Sequence, residues 1–441
     1  MKTESYGGRD IVWLRGYVEE IVSRTQDLQE IEVRYGEEKS LAFNFVKLTG
    51  EVSEGDEVVV NATARALGLG SGGYDFVAQV IKSLGPLGLD GNVAGQRKTD
   101  VPRGKGQPRE SSAASQATCP NGITMPIPNG VMTAGFAGRE QGHIMKLRYT
   151  PLQFRCLAVE EEASGRRDAL QRPDLEGMPV IVGELHSQVA PAVAGIWCRL
   201  RGRRITPRVT YIMTDGGALP LAISKTVAFL KERGLVGTTI TCGHAFGGDL
   251  EAINVYSALI AAKHVSKADV AVVCIGPGIV GTGTAFGTTA ISQGEAINAA
   301  FALGGKPIAV PRIGFADTRT RHYGLSHHTV TVLKEVVYPP CIVGLPRISR
   351  PSLDTVFETI RREGLYRKHL FIMGNGVLGT RLLQDMGFEL QSMGRSYEQE
   401  PLLFEAAAAC GDVAGVLALA ARRRRRDNEG GITNELFPSW R

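Results

Sequence analysis

The chain has 441 residues, more than one ordinary domain holds and enough for two, with a sizeable core in the larger. Its 43% hydrophobic and 22% charged residues are the proportions of a soluble globular protein, and no run of about eighteen apolar residues predicts a membrane-spanning helix. The net charge of +5 is matched by the five arginines at 422–426, so the remainder is near neutral and no global basic field argues for nucleic acid.

The first residues, "MKTESYGGRD", lack the apolar stretch of a secretory signal, and seven cysteines are scattered without a CxxC pair. Both point to reduced thiols in the cytoplasm. Residues 11–82 then read as short strands: "IVWLRGYVEEIV", "LQEIEVRY", "KSLAFNFVKL", "DEVVVNATA" and "YDFVAQVI" alternate apolar with polar positions or form β-branched runs. They predict a small β-barrel, OB-like or similar, over residues 1–89. The glycines of "GLGSGG" (68–73) fall between two strands with no helix after them, which suits a hairpin loop. Phe43 and Phe45, two apart on one strand, share a face that serves either as core or as a base-stacking platform, core being the commoner use in a small barrel.

From about 90 to 125 the sequence is rich in Gly, Ser, Pro, Gln and charge without periodicity, a flexible linker or insertion, and residues 90–130 are assigned to it. Order resumes near "GHIMKLRYTPLQFRCLAVEEEAS", and residues 131–441 are assigned to one α/β domain with a basic tail. Its strand candidates are "MPVIVGEL", "RVTYIMT", "GTTITCG", "ADVAVVCIG", "KPIAVPRIG", "HLFIMGNG" and the shorter "ELQSMG", alternating with helical segments. One of those is "DLEAINVYSALIAAKHV", with Asp249 as its N-cap. Alternation of near-continuous β-branched strands with helices predicts a Rossmann-like, doubly wound, mainly parallel sheet.

In such a sheet, ligands bind outside the carboxyl ends of the strands, so the residues after each strand matter most. They are Glu184, His186, Ser187 and Gln188; Asp215; His244 and Asp249; the stretch "IGPGIVGTGTAFGTT"; and Arg312, Asp317, Arg319, Arg321, His322, His327 and His328. The glycine stretch fits G-x-G-x-x-G through Gly276, Gly278 and Gly281, but no acidic residue follows about twenty residues on to hold a ribose. Thr284 stands where a P-loop needs lysine. What survives is an anion cradle: backbone N–H groups of Gly276, Gly278, Gly281 and Gly283 before a helix, with hydroxyl donors from Thr282, Thr284, Thr288 and Thr289. The alternative is a flexible strand-to-helix turn.

Arg319 and Arg321 could complete the anion site, since guanidinium matches phosphate and carboxylate oxygens. His186, His244 and His322, with Glu184 and Asp215, are the acid–base candidates. Glu184, His186, His244 and Asp249 could also converge on a metal, although no HExxH-type spacing exists and no cofactor is assigned. The expected partner is a small phosphorylated or carboxylated molecule. A nucleic-acid reading through barrel and arginine tail is the alternative, self-association stays open, and enzyme and sensor are not separated.

The segments "GHIMKLRYTPLQ" (142–153), "GELHSQVAPAVAG" (183–195), "IGPGIVGTGTAFGTTAISQGEA" (275–296) and "RHYGLSHHTVTVL" (321–333), with "GLGSGGYDFV", resemble the uncharacterised bacterial family catalogued as domain of unknown function 3866. The resemblance implies a bacterial cytoplasmic protein in which the 90–125 segment is an insertion. It implies no activity and supplies no catalytic residues.

Overall fold

The computed structural model describes residues 13–62, 65, 74–81, 144–147, 154–347 and 349–429. The "GLGSGG" turn and the 90–125 linker lie outside the described residues.

Strands β1 (Trp13–Arg24), β2 (Leu28–Tyr35), β3 (Glu38–Phe45), β4 (Glu57–Asn61) and β5 (Asp75–Ile81) close into a barrel in the order β1-β2-β3-β5-β4. All five match the sequence reading. Strict alternation in β2 turns Gln29, Ile31 and Val33 inward, where they meet Val18, Ala42, Val58, Val60 and Val77. Phe43 and Phe45 do not join that interior. They alternate with Ala42 and Asn44, so they lie on the opposite face, where Phe43 stacks on Tyr74 with centroids 4.1 Å apart. Both are nevertheless buried, at 7% and 9% exposure, so they present no open platform.

The second sheet holds eight parallel strands: β6 (Pro179–Val182), β7 (Val209–Thr214), β8 (Thr238–Cys242), β9 (Leu250–Ala252), β10 (Val270–Ile275), β11 (Lys306–Ala309), β12 (Ile342–Pro346) and β13 (Leu370–Gly374). Their order is β9-β8-β7-β10-β6-β11-β12-β13. Apolar residues on alternate positions feed two cores, as a doubly wound sheet requires. One core takes α1 (Val189–Arg201), α2 (Lys225–Glu232), α7 (Val377–Asp385) and α8 (Pro401–Glu429). The other takes α3 (Val255–His264), α4 (Ile291–Ala302), α5 (His327–Thr331) with its π-helical continuation to Val336, and α6 (Arg350–Arg362).

Three expectations give way. "DLEAI" is not the start of a helix: Leu250–Ala252 pairs with Ile240–Cys242 as the sheet's edge strand, and Asn254 caps α3 by accepting the Ser257 N–H. Asp249 is instead held by Lys231 and by the Thr239 N–H (2.8 Å) and hydroxyl (2.9 Å). "ELQSMG" supplies only a small hairpin, Gln391–Ser392 against Arg395–Ser396, outside the large sheet. The sheet instead gains Ile342–Pro346, with α6 behind it.

Helix α8 is, over Pro401–Arg423, long and apolar enough to cross a membrane by length and composition, contrary to the expectation of no such helix; 78% of its apolar window is buried inside the fold. It lies on α1 so closely that a Cβ on Gly195 would stand 2.0 Å from the Ala408 carbonyl oxygen. The first of the arginines at its end is not simply solvated: Arg422 pairs with Asp269 at 2.6 Å.

Two crossovers diverge at the centre of the sheet. After β6 the chain passes through α1 to β7, beyond β10; after β10 it passes through α4, on the other face, to β11 beyond β6. This is a topological switch point, and the loops after β10, β6 and β11 open onto its crevice.

Candidate functional site

After β6, the Gln188 side chain accepts the N–H groups of Glu184 (2.8 Å) and Leu185 (3.0 Å), fixing the turn that buries Glu184. Thr329 donates to one Glu184 oxygen at 2.9 Å. The other, Oε1, stands 3.5 Å from His328 Nδ1 and 4.0 Å from Arg312 Nη1, not aligned for a hydrogen bond to either.

After β11, the chain pairs Ile313–Gly314 with Gly324–Leu325, turning through Gly324 at φ +74°. Ser326 then caps α5, its hydroxyl accepting the His328 N–H (3.3 Å) and lying 2.9 Å from His322 Nδ1. This brings three imidazoles together: ring centroids are 5.0 Å apart for His322–His327, 5.1 Å for His322–His328 and 4.2 Å for His327–His328. Burial pushes His322 down to about 3, with Arg312 and Arg319 adding to it, and also lowers His327. Both are neutral at pH 7.

Beside His322 a cavity is lined by Arg312, Asp317, Arg395 and Glu400. Asp317 meets Arg312 at 3.3 Å, Arg319 at 2.7 Å and Arg395 at 3.2 Å, and the Arg319 hydrogen bonds hold its carboxyl well below the usual carboxylate range. Most charges here are thus compensated. His327 Nε2, His328 Nδ1 and Glu184 Oε1 are different: each is buried and has no hydrogen-bond partner in the protein. Such an orphan costs about 1–3 kcal/mol.

The Gly/Thr stretch after β10 lies against this cluster. A Cβ on Gly281 would sit 3.2 Å from His328 Cε1, and one on Gly283 would sit 3.9 Å from Arg321. Its threonine hydroxyls turn inward. Thr282 and Thr284 bond each other at 2.9 Å, Thr282 donates to the Gly287 carbonyl at 3.0 Å, and Thr288 donates to that of Val280 at 2.9 Å. They brace a small hairpin, bridged at Gly281–Thr288, whose tip exposes Val280 and Phe286. Gly278 and Gly283 have φ of +95° and +85°, which the turn needs, while Gly276 packs against Leu219 and Met213.

The other rim residues lie apart. His186 Nδ1–H donates to the Ile275 carbonyl (3.2 Å), so Nε2 accepts from the Ser224 hydroxyl (2.6 Å). Burial pushes its pKa down to about 4. Asp215 accepts the N–H groups of Ala218 (2.9 Å) and His244 (2.8 Å), clamping two loops beside a second cavity of about 200 Å³ that Glu295, Asn254 and Ser292 also line. His244 Nδ1 accepts the Leu147 N–H at 3.1 Å. Buried Lys146 braces the same loop through the carbonyls of Gly243 and Ala245. Glu184, His186, His244 and Asp249 therefore do not form the single metal set considered from the sequence.

Of the sequence candidates, the crevice brings together Glu184, His322, Arg319, Arg321 and the Gly281–Gly283 turn. His327 and His328, in the stretch "DTRTRHYGLSHH" whose histidines suit general acid or base roles, join His322 there. Arg395 and Glu400 come from beyond α7, and no local pattern marks them.

No curated protein matches the chain. A family model described as "Protein of unknown function (DUF3866)" matches residues 41–101 and 122–411, running from within β3 of the barrel to the first turns of α8 and leaving 102–121, inside the expected insertion, unmatched. With the parallel sheet and the crevice loops inside matched segments that cover well over half of the chain, the chain belongs to that family.

Proposed function

We propose that the α/β domain binds a small phosphorylated or carboxylated molecule in the crevice at the carboxyl ends of β10, β6 and β11. The observation that supports this best is Arg321. It is exposed, lies against Gly283, and among the described residues makes no ion pair, unlike Arg312, Arg319 and Arg395. A guanidinium left uncommitted beside the Gly281–Gly283 turn suits an oxyanion. We place the protein in the cytoplasm, where its free thiols would stay reduced; the six described cysteines are all unpaired.

The test is thermal denaturation with a panel of nucleotides, sugar phosphates and short carboxylates. A ligand at a hundred times its dissociation constant should stabilise the protein by about 2.7 kcal/mol. The shift should vanish in Arg321→Ala, and a hit indifferent to that change would place the anion elsewhere. The nucleic-acid reading gains little support, because Phe43 and Phe45 are covered and Arg422 is paired. It predicts salt-sensitive binding that deletion of 422–426 abolishes.

A further inference from the structure

The geometry points to a metal site within this crevice: His322, His327 and His328 bind one divalent transition ion of zinc's class, with the Glu184 carboxylate orienting His328. This deepens the preceding reading and rests on the same crevice, but not on the anion. Each ring offers one nitrogen, and the three nitrogens all lie within 4.8 Å of one another. A tetrahedral ion with bonds of about 2.0–2.1 Å would draw them to separations of about 3.3 Å. The three come from one short, well-anchored stretch, a turn followed by the capped start of α5, so the cluster is set by local backbone.

The second observation is the orphaned set. His327 Nε2, His328 Nδ1 and Glu184 Oε1 are buried without hydrogen-bond partners, whereas buried His369 and half-buried His186 engage both ring nitrogens. An ion satisfies His327 Nε2 directly, and its bond to His328 Nε2 fixes the proton on Nδ1, where it faces Glu184 Oε1 at 3.5 Å. The surroundings fit ligation as well. With its proton on Nδ1 and donated to Ser326, His322 keeps the Nε2 lone pair free, and a carboxylate beside His328 is the usual support of a ligating imidazole. The arginines do not forbid a dication, because Asp317 compensates Arg319 and shares Arg312 with Glu184. Imidazole ligands select zinc and its neighbours over magnesium or calcium. Three protein nitrogens leave a fourth position for water or for an oxygen of the anion.

The experiment uses the full chain, stripped with chelator and titrated with Zn²⁺ and Co²⁺ without any anionic ligand. One ion per chain is expected, with visible Co²⁺ bands of tetrahedral intensity. His327→Ala and His328→Ala should each weaken binding by about a hundredfold or more, and Glu184→Gln by about ten- to a hundredfold. His264→Ala, whose ring bonds the Asp174 carbonyl far from the cluster, should leave binding unchanged. Circular dichroism checks folding, and His327→Gln replaces any alanine variant that does not fold. Absence of a stoichiometric ion, or equal affinity in folded His327 and His328 variants, overturns the assignment. Arg321→Ala should lose the anion and keep the ion, so the two proposals fail separately.

Discussion

His186 and His322 occupy equivalent places, each in the loop after a central parallel strand, and their environments diverge. His186 has both ring nitrogens engaged, by Ile275 and Ser224. His322 anchors one nitrogen on Ser326 and turns into a group whose neighbours His327 and His328 each keep a buried nitrogen unpartnered. Position on the rim of a doubly wound sheet is therefore not enough to mark a functional histidine. The distinguishing property is polar capacity that the fold has left unspent.

The largest expected effect concerns the satisfied member. Folded His186 titrates near 4 against about 6.5 in an unfolded chain, so the unfolded state takes up the proton first. Its stabilisation is complete above about pH 6.5 and is lost as pH falls toward 4, by at most about 3 kcal/mol. Urea unfolding of wild type and His186→Asn, in chelator, should show their stability difference shrinking across that window; a constant difference would mean His186 is not the half-buried neutral imidazole described. Next, Zn²⁺ at a hundred times its dissociation constant should raise unfolding free energy by about 2.7 kcal/mol in wild type and not in His328→Ala. His186→Ala should respond to Zn²⁺ fully while losing about 1–3 kcal/mol of intrinsic stability, because the Ile275 carbonyl and Ser224 hydroxyl lose their partner. If His186→Ala abolished the zinc response, the contrast between the two places would collapse. Arg321→Ala should change ligand-free stability by less than about 0.5 kcal/mol, since no ion pair is lost. Arg422→Ala should likewise cost little, about 0.2–1 kcal/mol, shrinking with added salt, because Arg208 still reaches Asp269 at 3.4 Å.

Much of the architecture could be read from pattern alone. "LQEIEVRY" alternates so regularly that its predicted span and β2 coincide, and "ADVAVVC" is apolar enough to predict a strand buried on both faces. Edge and flank positions were harder. Leu250–Ala252 is too short to show a period, and the acidic residue before it imitates a helix cap. Ile342–Pro346 sits between prolines that mask its β-branched run. For the site, strand ends marked the rim correctly, with Glu184 and His322 on it. Which rim histidines had partners depended on contacts between distant segments, such as Ser224 reaching His186, and no spacing in the sequence encodes those. The threonines of 282–289 show the same limit: their number suggested outward donors, while the hairpin they form consumes their hydroxyls.

Helix α8 carries a consequence for how the molecule is made. It supplies one wall of the core lined by Ile181, Met213 and Ile308, and its closest partner, α1, precedes it by about two hundred residues of chain. A ribosome therefore completes all eight strands before that face can be fully covered. During that interval the nascent sheet exposes apolar surface, the condition under which chains aggregate or recruit chaperones. Folding must also wait for a contact of very high sequence separation, which places this domain among the slow folders. A chain interrupted before Pro401 would keep the crevice loops in sequence and lack one of the helices that cover their strands.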